Sequence, residues 1–297
     1  MSIINFGSMN VDHTYSVPHI LEPGETLQAE AYNIYAGGKG LNQTIAAARA
    51  GARIYHAGMM GKGGEMLRDF LNSSGADTRF VGETEIPQGH AIIQVADSGE
   101  NNIVVFRGSN FCITREYIDS VLDAAGEAEY VMLQNEISEV PYVVESAWKK
   151  GFKVVINASP ISETLNAIDI KMVAWLLVNE IEGAALTGET EPEKILEKLR
   201  QISPETGVVL TLGKAGSLCS KGGKTVKQGI FPVTAVDTTG AGDTFTGYFV
   251  AGMDAGLSME EAILHATAAS AISVTRHGAA PSIPMMEDVK AFIRERS

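Results

Sequence analysis

Tyr130-Val-Met-Leu-Gln134, Lys153-Val-Val-Ile-Asn157, Ala174-Trp-Leu-Leu-Val178 and Gly207-Val-Val-Leu-Thr-Leu212 decide the fold. Each is a short apolar run bounded by turn or helix signals, and such runs read as buried strands. The intervening stretches Val140–Lys150, Glu180–Thr187 and Pro192–Gln201 carry helical spacing. Strands that alternate with helices predict a mainly parallel sheet covered on both faces, a three-layer α/β core of the Rossmann-like kind. Toward the C-terminus the chain turns helical, over Asp243–Ala255, Ser258–Thr275 and Met285–Glu295, and Ser258-Met-Glu-Glu261 reads as a capping box. Phe231–Val236 reads as a β-type segment leading into that region.

Two stretches nearer the N-terminus break the rhythm. Glu25–Tyr35 and Gln88–Arg107 read as antiparallel strands, the second with Asp97-Ser-Gly-Glu-Asn-Asn102 as its turn. They predict a small sheet, either a lid or an edge extension of the main one. The lid segments fall at about 13–35 and 88–110, inserted in one domain spanning 1–297.

Composition fits one large globular unit. The 297 residues are 45% apolar and 20% charged, which argues against disorder, and a chain this long needs no disulfide or metal to hold a core. The formal net charge of −13 argues against a nucleic-acid partner, because phosphate neutralisation needs clustered cations. Cys112 and Cys219 form neither a metal motif nor a disulfide framework, which points to a reduced, cytoplasmic setting. The first residues lack a basic and apolar leader pattern, and the apolar run Met172–Val178 is far short of the ~20 residues of a membrane span. No membrane partner is expected.

Three segments carry chemistry. In Ala235-Val-Asp-Thr-Thr-Gly-Ala-Gly-Asp-Thr-Phe-Thr-Gly247, small residues lead into a helix. Successive N–H groups can then converge on an anion where the helix dipole favours negative charge. Asp243 falls in the first turn, where a carboxylate can take a proton from an attacking hydroxyl; the same pattern also fits an N-cap after a tight turn. Tyr35-Ala-Gly-Gly-Lys-Gly-Leu-Asn42 forms a flexible turn into an alanine-rich helix, fitted either to a polar ligand or to close packing on the sheet. Asn10 and Asp12 lie two apart in Asn5-Phe-Gly-Ser-Met-Asn-Val-Asp12 and share a face if extended, as vicinal sugar hydroxyls need; an Asx turn is the other reading. No Walker A sequence occurs.

Together and in this order, the segments resemble the ribokinase-like family of sugar kinases, the PfkB carbohydrate kinases. The resemblance runs from Gly7-Ser-Met-Asn-Val-Asp12 to Gly278-Ala-Ala-Pro-Ser-Ile-Pro284. Gly37-Gly-Lys-Gly-Leu-Asn42 is similar to the family's N-terminal signature, Asp237-Thr-Thr-Gly-Ala-Gly-Asp243 to its C-terminal one, and Asn179-Glu-Ile-Glu182 to its N-x-x-E motif.

The resemblance implies a ribokinase-like fold and an ATP-dependent kinase that converts D-ribose to D-ribose 5-phosphate. A kinase for deoxyribose, another furanose or a nucleoside is the alternative within enzymes, and a non-catalytic sugar-binding regulator the alternative outside them. It makes Asp243 the catalytic base and Gly240, Ala241 and Gly242 the anion hole. It assigns the sugar to Asn10, Asp12, Gly38, Lys39, Asn42 and Glu136, with Asp243 beneath the reacting hydroxyl. It assigns ATP to Asn179, Thr211, Gly213, Lys214, Gly216, Gly242 and Thr267, and Mg²⁺ to Glu182 through water. A monovalent cation such as K⁺ falls to Asp237, Thr239, Ser273, Arg276, Gly278 and Ser282. The resemblance further implies a homodimer paired through the lid.

The chain departs from the family pattern in places. Thr267 stands where His or Asn is common, Asn157-Ala-Ser-Pro160 replaces a more proline-rich turn, and Gly61-Lys-Gly-Gly-Glu65 lacks a common acidic residue. His90 and Phe106 put bulk in the lid. These departures bear on the sugar, not on the reaction.

Overall fold

A computed structural model describes residues 2–126 and 128–296. The chain opens with β1 (Ile3–Phe6), β2 (Asn10–Val17), β3 (Ala31–Gly37), α1 (Lys39–Arg49), β4 (Ile54–Lys62), α2 (Glu65–Ser73) and β5 (Asp77–Pro87). A hairpin of β6 (His90–Ala96) and β7 (Asn101–Phe106) precedes α3 (Arg115–Ala124), β8 (Tyr130–Gln134), α4 (Val140–Lys149) and β9 (Lys153–Asn157). Then come β10 (Val173–Asn179), α5 (Glu180–Thr187), α6 (Pro192–Ile202), β11 (Gly207–Thr211), β12 (Ser217–Lys221) and β13 (Lys224–Gln228). Helices α7 (Ala241–Asp254), α8 (Met259–Ser273) and α9 (Met286–Arg294) close the chain.

The large sheet has nine strands in the order β13-β12-β11-β10-β9-β8-β1-β4-β5. From β11 to β5 the strands pair in parallel, and β12 and β13 add an antiparallel edge. Alternate side chains of each strand feed opposite cores, as the period of two requires. Ile3, Met132, Val155 and Leu177 pack with Leu41, Phe249 and Ile263 of α1, α7 and α8. Ile4, Val131, Val154 and Ile156 pack with Ile118, Val143 and Ile195 of α3, α4 and α6. The chain winds from β1 to β4 and β5 on one side and from β8 to β11 on the other. That reversal opens a crevice at the C-terminal ends of β1 and β8, where such sheets receive ligands.

A separate four-stranded sheet runs β3-β2-β6-β7. Of the two alternatives for the early strands, this excludes an edge extension. Here β2 pairs antiparallel with β3 and parallel with β6, and β7 is exposed along its length.

The central strands and helices fall where the periodicity places them, within a residue or two. Other expectations need correction. Phe231–Val236 is not a strand: Pro232 lacks a ladder donor, and Val236 and Asp237 give their N–H groups to the Val274 carbonyl at 2.7 and 3.2 Å. Residues 25–30 are not extended pairing either. Glu25 turns back to accept from Glu22 N at 3.0 Å, and the ladder begins only where Ala31 meets Ser16. The small sheet therefore starts at Asn10 and its second strand runs on to Gly37, while the hairpin turn is shorter than expected because Asn101 and Asn102 belong to β7. Strands β4, β5, β12 and β13 were not expected from the sequence pattern.

Candidate active site

The site begins with a close approach. A Cβ on Gly40 would lie 2.2 Å from Ser8 N and 2.4 Å from the Gly7 carbonyl carbon, so only glycine lets α1 seat its first turn on the loop after β1. Asn5 secures the contact by donating to the Gly40 carbonyl at 2.8 Å. Lys39 and Asn42 are thereby held at the C-terminal end of the sheet, while Ala46 and Ala47 further along are fully buried. The close-packing reading of the glycine turn holds, and Lys39 at the head of α1 also lines the cleft.

The other side is the start of α7. Gly240 caps it at φ 74°, a left-handed conformation suited to glycine, and Ala241, Gly242 and Asp243 form the first turn. Asp243 is not the cap. Its carboxylate, 7% exposed, accepts from Asn42 Nδ2 at 3.0 Å and from Gln43 Nε2 at 2.9 Å. A cleft of about 260 Å³ is lined by Gly240, Ala241, Gly242 and Asp243 together with Lys39, Asn157, Asn179, Glu182 and Thr211.

Beside Asp243 lies a cluster of charge. Asp243 is the main reason the Lys39 ammonium titrates above its ordinary range, with burial opposing and Glu136 and Glu182 adding to the shift. Glu136 accepts from Ser8 Oγ at 2.6 Å and from Lys39 N at 3.1 Å, yet burial pushes its pKa up. It is therefore no solvated helix-start glutamate. Asp12 lies on β2, not in an Asx turn, and burial with Glu136 nearby raises its pKa to about 7. Asn10, on the same face of β2, accepts from Asn110 Nδ2 at 2.7 Å. Asn42 Oδ1 is buried and has no partner among the described residues, an acceptor left open beside Asp243. Gly38 caps α1 next to these groups.

The residues expected at the nucleotide are spread more widely. Asn179 and Glu182 form a reciprocal capping box at α5, each carbonyl or carboxylate oxygen accepting the other's N–H at 2.9 Å. Asn179, Glu182 and Thr211 line the cleft; in the turn that follows Thr211, Gly213 and Lys214 are exposed and Gly216 is buried. Thr267 is buried on α8, with its hydroxyl bonded to the Ile263 carbonyl at 2.7 Å. At the expected cation residues, Asp237 accepts from Thr239 N and Gly278 N, both at 2.9 Å. Burial works against the Asp237 carboxylate, but these hydrogen bonds outweigh it and hold the pKa below the ordinary range. The Ser273 and Ser282 hydroxyls donate to the Ser270 and Ala279 carbonyls, and Arg276 reaches the Ser282 carbonyl at 3.4 Å. The 236–239 and 274–279 loops thus meet at the Asp237 carboxylate, which bridges Thr239 N and Gly278 N. No group of three or more His, Cys, Asp or Glu poised to hold a metal occurs among the described residues.

Sequence reasoning missed Gln43, Gln134, Ser8 and Asn110. Buried amides and a serine carry no pattern in one sequence; Gln43, adjacent to Asn42 in the signature, is the one that adjacency could have flagged.

Known proteins resemble this chain throughout. The pfkB family carbohydrate kinase profile matches residues 2–286. A ribokinase of Haemophilus influenzae is 37% identical over 300 residues, covering 97% of this chain and 96% of that protein. The crystal structure of a ribokinase from Thermotoga maritima superposes with a TM-score of 0.89 at 33% identity, over 99% of each chain. An Arabidopsis thaliana ribokinase complexed with ribose and ATP gives 0.87 at 29% identity, over 99% of this chain and 98% of that one. The chain belongs to the pfkB family of carbohydrate kinases.

Proposed function

We propose that this chain transfers the γ-phosphoryl group of ATP to the 5-hydroxyl of D-ribose, giving D-ribose 5-phosphate. The observation that carries the reading is Asp243, buried in the first turn of α7 directly after Gly240-Ala-Gly242 and held on its sugar side by Asn42. A carboxylate so placed takes the hydroxyl proton as the oxygen attacks, while N–H groups of the helix start meet the charge on the transferred phosphoryl. Asp12 and Asn10 accept and donate to the sugar's vicinal hydroxyls. Glu136, Lys39, Gly38 and the open Asn42 oxygen complete the sugar pocket.

ATP lies along Asn179, Thr211, the 213–216 turn and Gly242, with Thr267 on the adenine side. Mg²⁺ would be held chiefly by the phosphates and water, since it keeps much of its hydration, with Glu182 orienting that water. Mg²⁺ supplies charge neutralisation on the phosphates. K⁺ fits the carbonyls of 237–239 and 273–282 together with Asp237 and Ser282. The small sheet acts as a lid inserted in a single kinase domain, and a second copy covers it. The cytoplasm suits an enzyme whose Cys112 and Cys219 are free; no described helix is long and apolar enough to cross a membrane.

Asp243→Asn tests the reading. Loss of a positioned base is expected to lower kcat by roughly 10²–10⁴-fold while sugar binding stays within about tenfold. Wild-type turnover in the variant would remove Asp243 from the chemistry.

A further inference from the structure

The Asp243 carboxylate is held at Oδ2 by Asn42, and its other oxygen meets an amide that no signature assigns. We propose that Gln43 is a positioning residue for Asp243, its own orientation dictated by a buried relay that begins at the backbone of α1. The proposal rests on Asp243 as the base.

The relay can be followed from an atom that has no choice. The Gly40 carbonyl can only accept, and Asn5 Nδ2 lies 2.8 Å from it. The Asn5 amide group therefore faces α1, where it also donates to Thr44 Oγ1 at 2.8 Å, and its Oδ1 faces β8. There it meets Gln134 at 2.9 Å. Two facing oxygens would repel, so Gln134 presents its NH₂ group, which also lies 2.7 Å from Gln43. Gln43 must answer with its oxygen, and its NH₂ group is left for Asp243 Oδ1 at 2.9 Å.

Asn5 and Gln43 are fully buried and Gln134 is 1% exposed, so water does not substitute for any of these partners. Turning the Gln43 amide over would set its oxygen against a carboxylate and break the bond to Gln134. Each Asp243 oxygen thus receives one fixed N–H, from Asn42 and Gln43, and the carboxylate plane is set before substrate arrives. A small misplacement of a reacting group is costly in rate, so the relay acts on turnover and not on sugar affinity.

The test compares Gln43→Met, Gln134→Met, the double variant and Asp243→Asn, each checked by thermal melting. A lost hydrogen bond to a charged group sets the scale, so Gln43→Met lowers kcat by about ten- to a hundredfold. Its sugar KM stays within about threefold, the mark of an interaction felt in the transition state. Gln134→Met lowers kcat by less, since Gln43 keeps its donor but loses its orientation. The double variant matches Gln43→Met alone, because the relay reaches Asp243 only through Gln43. Wild-type kcat in folded Gln43→Met, a sugar KM that rises as kcat falls, or additive losses in the double variant would overturn the inference. Should Gln43→Met not fold, an unchanged kcat in Gln134→Met overturns it. An active Asp243→Asn would instead overturn the reading beneath it.

Discussion

Asp12 shows how a single residue ties the site to pH. An ordinary aspartate titrates near 3.8, but burial and the neighbouring Glu136 raise Asp12 to about 7. Between those values the folded chain keeps a proton that the unfolded chain has lost. This contribution to stability is therefore full below about pH 4 and is lost as pH rises through 7. His56 acts in the opposite sense: burial lowers its pKa from 6.5 to about 4, so its contribution is lost as pH falls through that window. Comparing the melting point of the sugar-free wild type with Asp12→Asn between pH 8 and pH 5.5 isolates the aspartate. The wild type should gain on the variant as pH falls; parallel curves would contradict the assignment. In the presence of sugar the ionised carboxylate is the better acceptor. Sugar KM should therefore rise from pH 8 to pH 6 in the wild type and stay flat in Asp12→Asn, as steady-state rates would show. Asn42 and Asp243 stood out because each sits in a signature, whereas Asp12 and Glu136 were assigned to the sugar through the family resemblance. Gln43 and Gln134 were not, since their function arises from partners 91 positions apart, a pairing that one sequence does not display.

At the scale of the element, glycines decide whether α1 and α7 reach the site. Gly240 holds φ 74°, and a Cβ there would lie 2.9 Å from Ala279 Cβ. Gly240→Ala should cost roughly 1–2 kcal/mol for the left-handed backbone, before any clash with Ala279. A fall in both melting temperature and kcat, measured on the same preparation, is expected; an unchanged kcat would separate the turn from the chemistry. The strands β8, β9 and β11 and the helices α4, α5 and α6 were readable because buried strands are continuous apolar runs and amphipathic helices repeat every 3.6 residues. Phe231–Val236 misled because β-branched residues suit a strand only when a neighbour offers its ladder, and here the donors turn to Val274. The hairpin β12–β13 was hidden by its polar residues, with Lys224 and Lys227 exposed on the edge strand β13, where charge discourages further pairing. The N-x-x-E motif has a double meaning that only the structure reveals, since Asn179 and Glu182 cap α5 while lining the cleft.

At the scale of the whole molecule, the small sheet presents an apolar edge strand to solvent. Ile103, Val104, Val105 and Phe106 of β7 are all about half exposed or more, at 54, 67, 56 and 47%. An apolar edge strand of this kind favours pairing with a second copy. Sedimentation at micromolar concentration should give a dimer, and Phe106→Glu should weaken it; a 31.6 kDa monomer with or without sugar would contradict the pairing. The reaction itself is the central claim, and it is tested most directly by ADP release with purified protein, ATP and Mg²⁺ across D-ribose, 5-deoxyribose, 2-deoxyribose, hexoses and nucleosides. The account predicts the highest kcat/KM for D-ribose and no sugar-dependent release with 5-deoxyribose, which lacks the accepting hydroxyl. Turnover of 5-deoxyribose, or a nucleoside or hexose preferred over ribose, would contradict it.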